Sequence, residues 1–243
     1  MKTGKRENET EARQQRRGKV GEGSRFSFSI PKSEIRNREA LCVAHHGDSY
    51  AMERIQRYIS HLQGVLERLS LEDVRKSIDL VMEAYHADKQ IFVIGNGGSA
   101  STASHIACDL GKGTSLPGKR RFRVVSLTDN VATMTAWSND VSYEDVFVEQ
   151  LKNLVNPGDL VIGISASGNS ENVIRAIRHA VAIGCKTIGW TGFGGGKLAH
   201  MTDVSVVADS HQYGPVEDVH LTLNHILHAW VREEFQRETT ANS

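Results

Sequence analysis

Two short turns carry most of the chemistry that can be read from this sequence, Gly95-Asn96-Gly97-Gly98-Ser99-Ala100 and Ser165-Ala166-Ser167-Gly168-Asn169-Ser170. Each follows an apolar run and precedes a helix-compatible stretch, so the two occupy equivalent places in the chain. Turns of Gly, Ser and Asn that lead from the carboxyl end of a parallel strand into a helix N-terminus present free backbone N–H groups and hydroxyl donors, which suits a phosphate. Three serines within six residues, Ser165, Ser167 and Ser170, strengthen that reading. A dinucleotide fingerprint fits poorly, because the first turn lacks the third glycine at its spacing and no acidic residue ends the second strand. Neither turn is a Walker loop, since no Gly-Lys-Ser/Thr follows. Either turn alone is explained as well by ordinary Ser/Asn caps, whereas the pair favours a ligand site. His105 and Asp109 stand four apart in the helix after the first turn, on one face, where an imidazole and a carboxylate can share a proton or a metal. Taken alone, such a pair is more often a surface hydrogen bond.

The elements that must position these groups follow from hydrophobic periodicity. Ile55, Tyr58, Ile59, Leu62, Val65, Leu66 and Leu69 form one apolar stripe at helical steps from Met52 onward. Ser70 with Asp73 resembles a capping box in which Asp replaces the usual Glu, opening a second helix through Val74, Ile78, Val81, Met82 and Tyr85. Five short apolar runs come next, Gln90–Ile94, Phe122–Leu127, Leu160–Ile164, Thr187–Trp190 and Val204–Val207, with helical or turn-rich segments between them. Unalternating Val/Ile runs belong to strands covered on both faces. The expected fold class is therefore α/β, a three-layer α/β/α sandwich with a five-stranded, mostly parallel sheet. A helical segment precedes the sheet, and a last helix from about Pro215 to Arg237 closes it.

Composition narrows the function classes. The 243 residues hold 29 Lys+Arg against 29 Asp+Glu with 6% aromatics, which lacks both the basic field and the stacking rings of a nucleic-acid binder. The longest apolar run falls far short of the ~20 residues of a membrane span, and no apolar stretch follows Lys2, Lys5 and Arg6, so neither membrane nor secretion is expected. Cys42, Cys108 and Cys185 are odd in number and widely spaced, which suits free thiols in a reducing cytoplasm. Charge is uneven, with eleven Lys/Arg and six Asp/Glu in the first forty residues. Residues 1–47 therefore read as a disordered basic extension, and residues 48–243 as the folded domain.

Together these blocks resemble the SIS (sugar isomerase) fold and, more closely, the phosphoheptose isomerases. The residues that carry the resemblance are Gly95–Ala100, Asn139-Asp140, Ser165–Ser170, Thr191-Gly192 with Gly195-Gly196-Lys197-Leu198-Ala199, and the Val-Glu-Asp-Val-His…His run that begins at Val216. Their order and spacing match from about Tyr50 to the C-terminus. The resemblance implies that Asn96, Gly97, Gly98, Asn139 and Asp140 contact a sugar. It further implies that Ser165, Ser167 and Ser170, in the turn that includes Ala166, hold its phosphate. From the residues alone, Asn139-Asp140 is an ordinary turn pair.

The resemblance also implies one zinc per subunit, held by His105, Asp109, Glu217 and His225, and a homotetramer with sites at subunit boundaries. In the family, Glu stands at position 109 and Gln at 217, and an Arg precedes that Gln; this chain has Asp109, Glu217 and Tyr213-Gly214-Pro215-Val216 instead. Glu217 and His225 lie eight residues apart, roughly 12 Å along a helix at 1.5 Å per residue, so one straight helix cannot bring both onto one ion. Either Glu217 precedes the helix or the ligands come from different subunits. His220, Asn224 and His228 form a neighbouring polar stripe assigned to packing or an interface.

The implied reaction is aldose–ketose isomerisation of sedoheptulose 7-phosphate to D-glycero-D-manno-heptose 7-phosphate through an enediol. Asp109 and His225 form the acid/base pair, Asp109 and Glu217 border the sugar, and no redox cofactor is needed. The rival readings are a non-catalytic sugar-phosphate-binding module, regulatory or protein-binding, and an isomerase of another phosphosugar. The partners expected are the phosphorylated sugar and further copies of the chain, with neither nucleic acid nor membrane.

Overall fold

The computed structural model describes residues 47–241, with side chains from Tyr50. The disordered extension expected for residues 1–47 lies outside the described residues up to position 46, as does Cys42.

The first helix, α1 (Gly47–Glu67), carries the apolar stripe. Its C-terminal half behaves as a core face, with Val65 buried and Leu62 and Leu66 packed against the core. Its N-terminal half does not, since Ile55, Tyr58 and Ile59 remain 53%, 42% and 44% exposed. Helix α2 (Leu71–His86) starts where the capping signal placed it, with the Ser70 side chain accepting a hydrogen bond from the Asp73 N–H. The Asp73 carboxylate faces Lys76 at 3.7 Å, so the cap is one-sided rather than a reciprocal box.

Strands β1 (Gln90–Gly95), β2 (Arg123–Ser126), β3 (Leu160–Ser165), β4 (Lys186–Thr191) and β5 (Val204–Val207) fall on the five apolar runs. They form one sheet in the order β2-β1-β3-β4-β5, with every pairing parallel. Between them run α3 (Gly98–Cys108), α4 (Val131–Asp140), α5 (Val146–Leu154), α6 (Glu171–Ala182) and the short α7 (Gly196–Ala199), and α8 (Tyr213–Ala241) follows β5.

Alternation along each strand feeds two cores. Ile91 and Val93 on β1, with Leu160, Ile162 and Ile164 on β3, pack against α1, α2, α3 and α8. Phe92, Ile94 and Val161 point the other way, into α5 and α6. Both sheet faces are thus covered, as unalternating apolar strands require. Because β1 is flanked by β2 on one side and β3 on the other, the chain reverses its direction of winding there. The crevice outside the carboxyl ends of β1 and β3 is where such sheets bind ligands.

Candidate active site

Both Gly/Ser turns open onto that crevice. After β1, Gly97 caps α3 with φ +55° and no side-chain hydrogen bond, leaving the first N–H groups of the helix without a side-chain cap. After β3, Ser170 caps α6 in an extended conformation, also without a side-chain cap bond. Its hydroxyl instead lies 3.0 Å from that of buried Ser165. The Ser167 hydroxyl accepts from the Asn169 N–H, and Asn169 in turn accepts from the Lys197 N–H, which ties the serine turn to the start of α7. Gly168 (φ +64°) and Gly196 (φ +55°) meet backbone to backbone, and a Cβ on either would overlap the other loop. Ala166 is buried, with its carbonyl accepting from the Gly192 N–H.

The acid/base candidates converge from two helices. At Asp109 the helical winding of α3 loosens into a π turn, Asp109–Gly113, a distortion that is common at functional sites. His105 Nε2 lies 3.3 Å from Asp109 Oδ2, and the His105 and His225 rings meet edge to face with centroids 5.1 Å apart. One ligand atom from each of His105, Asp109 and His225 falls within 4.8 Å of the others. Two imidazoles, one carboxylate and an open side make a donor set that fits zinc. The Asp109 side chain is only 17% exposed, and His105 is 43% exposed. Asn224, wholly buried, donates from Nδ2 to Asp109 Oδ2 at 2.7 Å, so this oxygen is held while Oδ1 is left for other work.

Glu217 is not among the three. Helix α8 begins at Tyr213, so Glu217 does not precede the helix, and the eight-residue argument stands within one subunit. Its carboxylate lies against Gly98, where any Cβ would overlap it, and negative charge is favoured beside the N-terminus of α3. Asn139 and Asp140 end α4, a helix with no buried residue, and hydrogen-bond each other at 2.8 Å rather than another candidate.

Asn96 is bound to Asn172 and Tyr143, neither of which was singled out from the sequence. No local pattern could have found them, because the partners lie 76 and 47 positions from Asn96. Asn224 was missed as a support for Asp109 for the same reason, although its place in the polar stripe of α8 was visible.

The rest of that stripe packs inside the subunit. His220 is 1% exposed, donates from Nε2 to the Thr191 carbonyl at 3.2 Å and leaves Nδ1 without a partner. Burial pushes its pKa down from 6.5 to about 4, so the ring is neutral in the folded chain. His228 lies against Gly113 in the π turn. Near the start of α8, Tyr58 donates to Asp218 Oδ2 at 2.5 Å, and that bond raises the phenol to about 12. Cys108 is exposed and Cys185 buried, both as free thiols. Among the described residues no helix is long and apolar enough to cross a membrane.

Comparison with known proteins agrees with this architecture. The SIS domain matches residues 56–192. A probable phosphoheptose isomerase from Thermoplasma acidophilum is 38% identical over 167 residues, which make up 69% of this chain and 91% of that protein. The phosphoheptose isomerase of Nitratiruptor sp. is 36% identical over 188 residues, 76% of this chain and 100% of the relative. The solved structure of the phosphoheptose isomerase from Neisseria gonorrhoeae superposes with a TM-score of 0.70 at 28% identity, covering 75% of this chain and 99% of that one. With a five-stranded parallel sheet, two Gly/Ser turns at its crevice and this degree of likeness, the chain belongs to the phosphoheptose isomerase family of SIS-domain enzymes.

Proposed function

We propose that this enzyme interconverts sedoheptulose 7-phosphate and D-glycero-D-manno-heptose 7-phosphate. The observation that carries the reading is the convergence of His105, Asp109 and His225 from two helices into one cluster. In this reading the phosphate rests on the Ser165, Ser167 and Ser170 hydroxyls and the open N-terminus of α6, and the backbone at Ala166 lies beside it. The sugar extends toward Asn96, Gly97 and Gly98, with Asn139, Asp140 and Glu217 bordering it. Binding the distant phosphate orients C1 and C2 of the sugar for reaction.

Because the eleven residues from Gly98 to Asp109 climb about 16 Å along α3, the acid/base pair that meets this sugar comes from a neighbouring subunit: its Asp109 Oδ1 takes a proton from C1 of the ketose and returns it at C2 of the enediol, while its His225 carries the proton that passes between O1 and O2. The Asn224 N–H holds Asp109 Oδ2, fixing the direction in which the free oxygen points. His105, Asp109 and His225 would hold zinc, which when bound supplies Lewis-acid charge beside the substrate oxygens. A fourth ligand from Glu217 would come from a neighbouring subunit, in keeping with a homotetramer in which the exposed stripe Ile55, Tyr58 and Ile59 of α1 is covered.

The test is to incubate chelator-treated protein with sedoheptulose 7-phosphate, with and without added zinc, and to follow aldose formation by NMR. Aldose in either tube supports the isomerase, and a requirement for zinc supports the metal. Failure of turnover in both tubes, alongside a raised melting temperature with the sugar phosphate, would replace the isomerase with a sugar-phosphate-binding module.

A further inference from the structure

The hydrogen bonds around Asn96 fix which atom of its amide is free to meet a ligand. The Val173 backbone N–H, which can only donate, bonds Asn172 Oδ1 at 2.9 Å. That contact settles the orientation of the buried Asn172 amide, whose oxygen and nitrogen would otherwise be interchangeable. Asn172 Nδ2 must then be the atom that donates to Asn96 Oδ1, at 2.9 Å, and Asn96 Nδ2 donates back to Asn172 Oδ1 at 2.9 Å. The Tyr143 hydroxyl adds a second donor to Asn96 Oδ1, at 2.9 Å. An amide oxygen accepts two hydrogen bonds, so the Asn96 acceptor is saturated, and of its two N–H groups one is used.

Tyr143 itself is held in place from the same helix that carries Asn172. It opens the short 3-10 turn Tyr143–Asp145, whose Asp145 receives Arg175 Nη1 at 2.8 Å on both oxygens and the Ser142 hydroxyl at 2.7 Å. The Arg175 bond holds the Asp145 carboxyl below its usual range, keeping the pair charged. Arg175 also bonds Glu171 in the first turn of α6. The segment after Asn139-Asp140 is thereby pinned to α6, and α6 to the glycine turn.

We infer that Tyr143 and Asn172 are positioning residues that turn Asn96 into a hydrogen-bond donor only, with its remaining N–H reserved for an oxygen lone pair of the sugar. The inference rests on the isomerase reading for the identity of the sugar. An aspartate at this turn would present no N–H, and an unclamped amide could rotate and offer its oxygen instead.

The experiment compares the unaltered chain with Tyr143→Phe, Asn96→Ala and the double variant, using sedoheptulose 7-phosphate for both kinetics and calorimetric binding. Tyr143 is exposed, so its phenyl replacement should leave the melting temperature unchanged. Loss of one neutral hydrogen bond should raise KM roughly two- to ten-fold with kcat nearly constant. In the Asn96→Ala background the same substitution should have no effect, because the residue acts through Asn96. Asn172→Asp, which keeps the acceptor for the Val173 N–H but sets an oxygen against Asn96 Oδ1, should raise KM further. Equal effects of Tyr143→Phe in both backgrounds, or none in either, would overturn the inference while leaving the isomerase intact. If the unaltered chain binds the sugar without turning it over, the isomerase reading fails and the Kd ratios decide the positioning by the same criterion. An unaltered chain that neither binds nor converts the sugar overturns both.

Discussion

Replacing His220 by Gln should change how folding stability depends on pH. The imidazole is buried beside Thr191 with one nitrogen unpartnered, and its pKa falls from 6.5 to about 4 in the folded chain. A depressed pKa on a basic group means that the unfolded chain binds the proton more readily. Stability is therefore full above pH 6.5 and is lost as pH falls toward 4, where the folded ring finally protonates. At pH 5 the unfolded ring is almost wholly protonated and the folded ring barely so. Integrating the difference from pH 7 to pH 5 gives a loss of about 2 kcal/mol from this residue alone. Glutamine keeps an N–H for the Thr191 carbonyl and cannot titrate. Urea unfolding of both chains at pH 7 and pH 5 measures the effect as a difference of differences, in which the carboxylates common to both chains cancel. The variant should lose about 2 kcal/mol less than the parent over that interval. Parallel losses in the two chains would refute the reasoning, as would a His220 ring resonance that titrates near 6.5 in the folded protein.

Four further outcomes follow from the geometry. Asp109→Asn should lower kcat by about 100-fold or more at an unchanged melting temperature, as expected for loss of a positioned acid/base, and steady-state kinetics with scanning calorimetry checks both halves. Asn224→Leu should lower kcat by roughly tenfold through a misdirected Asp109 and cost about 1–3 kcal/mol of stability, because Oδ2 of the mostly buried Asp109 loses its donor; the same two measurements decide it. Gly168→Ala should destabilise the chain by about 2 kcal/mol or more and weaken phosphate binding, since its Cβ meets the Gly195 carbonyl at a positive φ; a melting temperature within a degree or two of the parent would contradict this. In alkylation followed by mass spectrometry, exposed Cys108 should be labelled well before Cys185, whose burial pushes its thiol up to about 11.

Hydrophobic spacing alone placed all five strands to within one or two residues and the start of α2 at Ser70, because strands and caps are governed by neighbours in sequence. The two Gly/Ser turns were legible for the same reason, since Gly, Ser and Asn between an apolar run and a helix mark the strand-to-helix turn. His105 and Asp109 could be paired from a step of four, and helical rise alone kept Glu217 and His225 off one shared ion in one subunit. What no local rule contained was the order of the strands, and hence that both turns face one crevice at the β1/β3 reversal. Nor could local spacing bring His225 across more than a hundred residues to the end of α3, set the Glu217 carboxylate against Gly98, or aim Asn224 at Asp109. Clamping Asn96 between Asn172 and Tyr143 likewise depends on α6 packing beside the glycine turn. The sequence determined where the chemistry could stand, through backbone preferences that act over a few residues. Only burial of both sheet faces, a cooperative property of the whole chain, decided which of those groups meet and in which direction each one points.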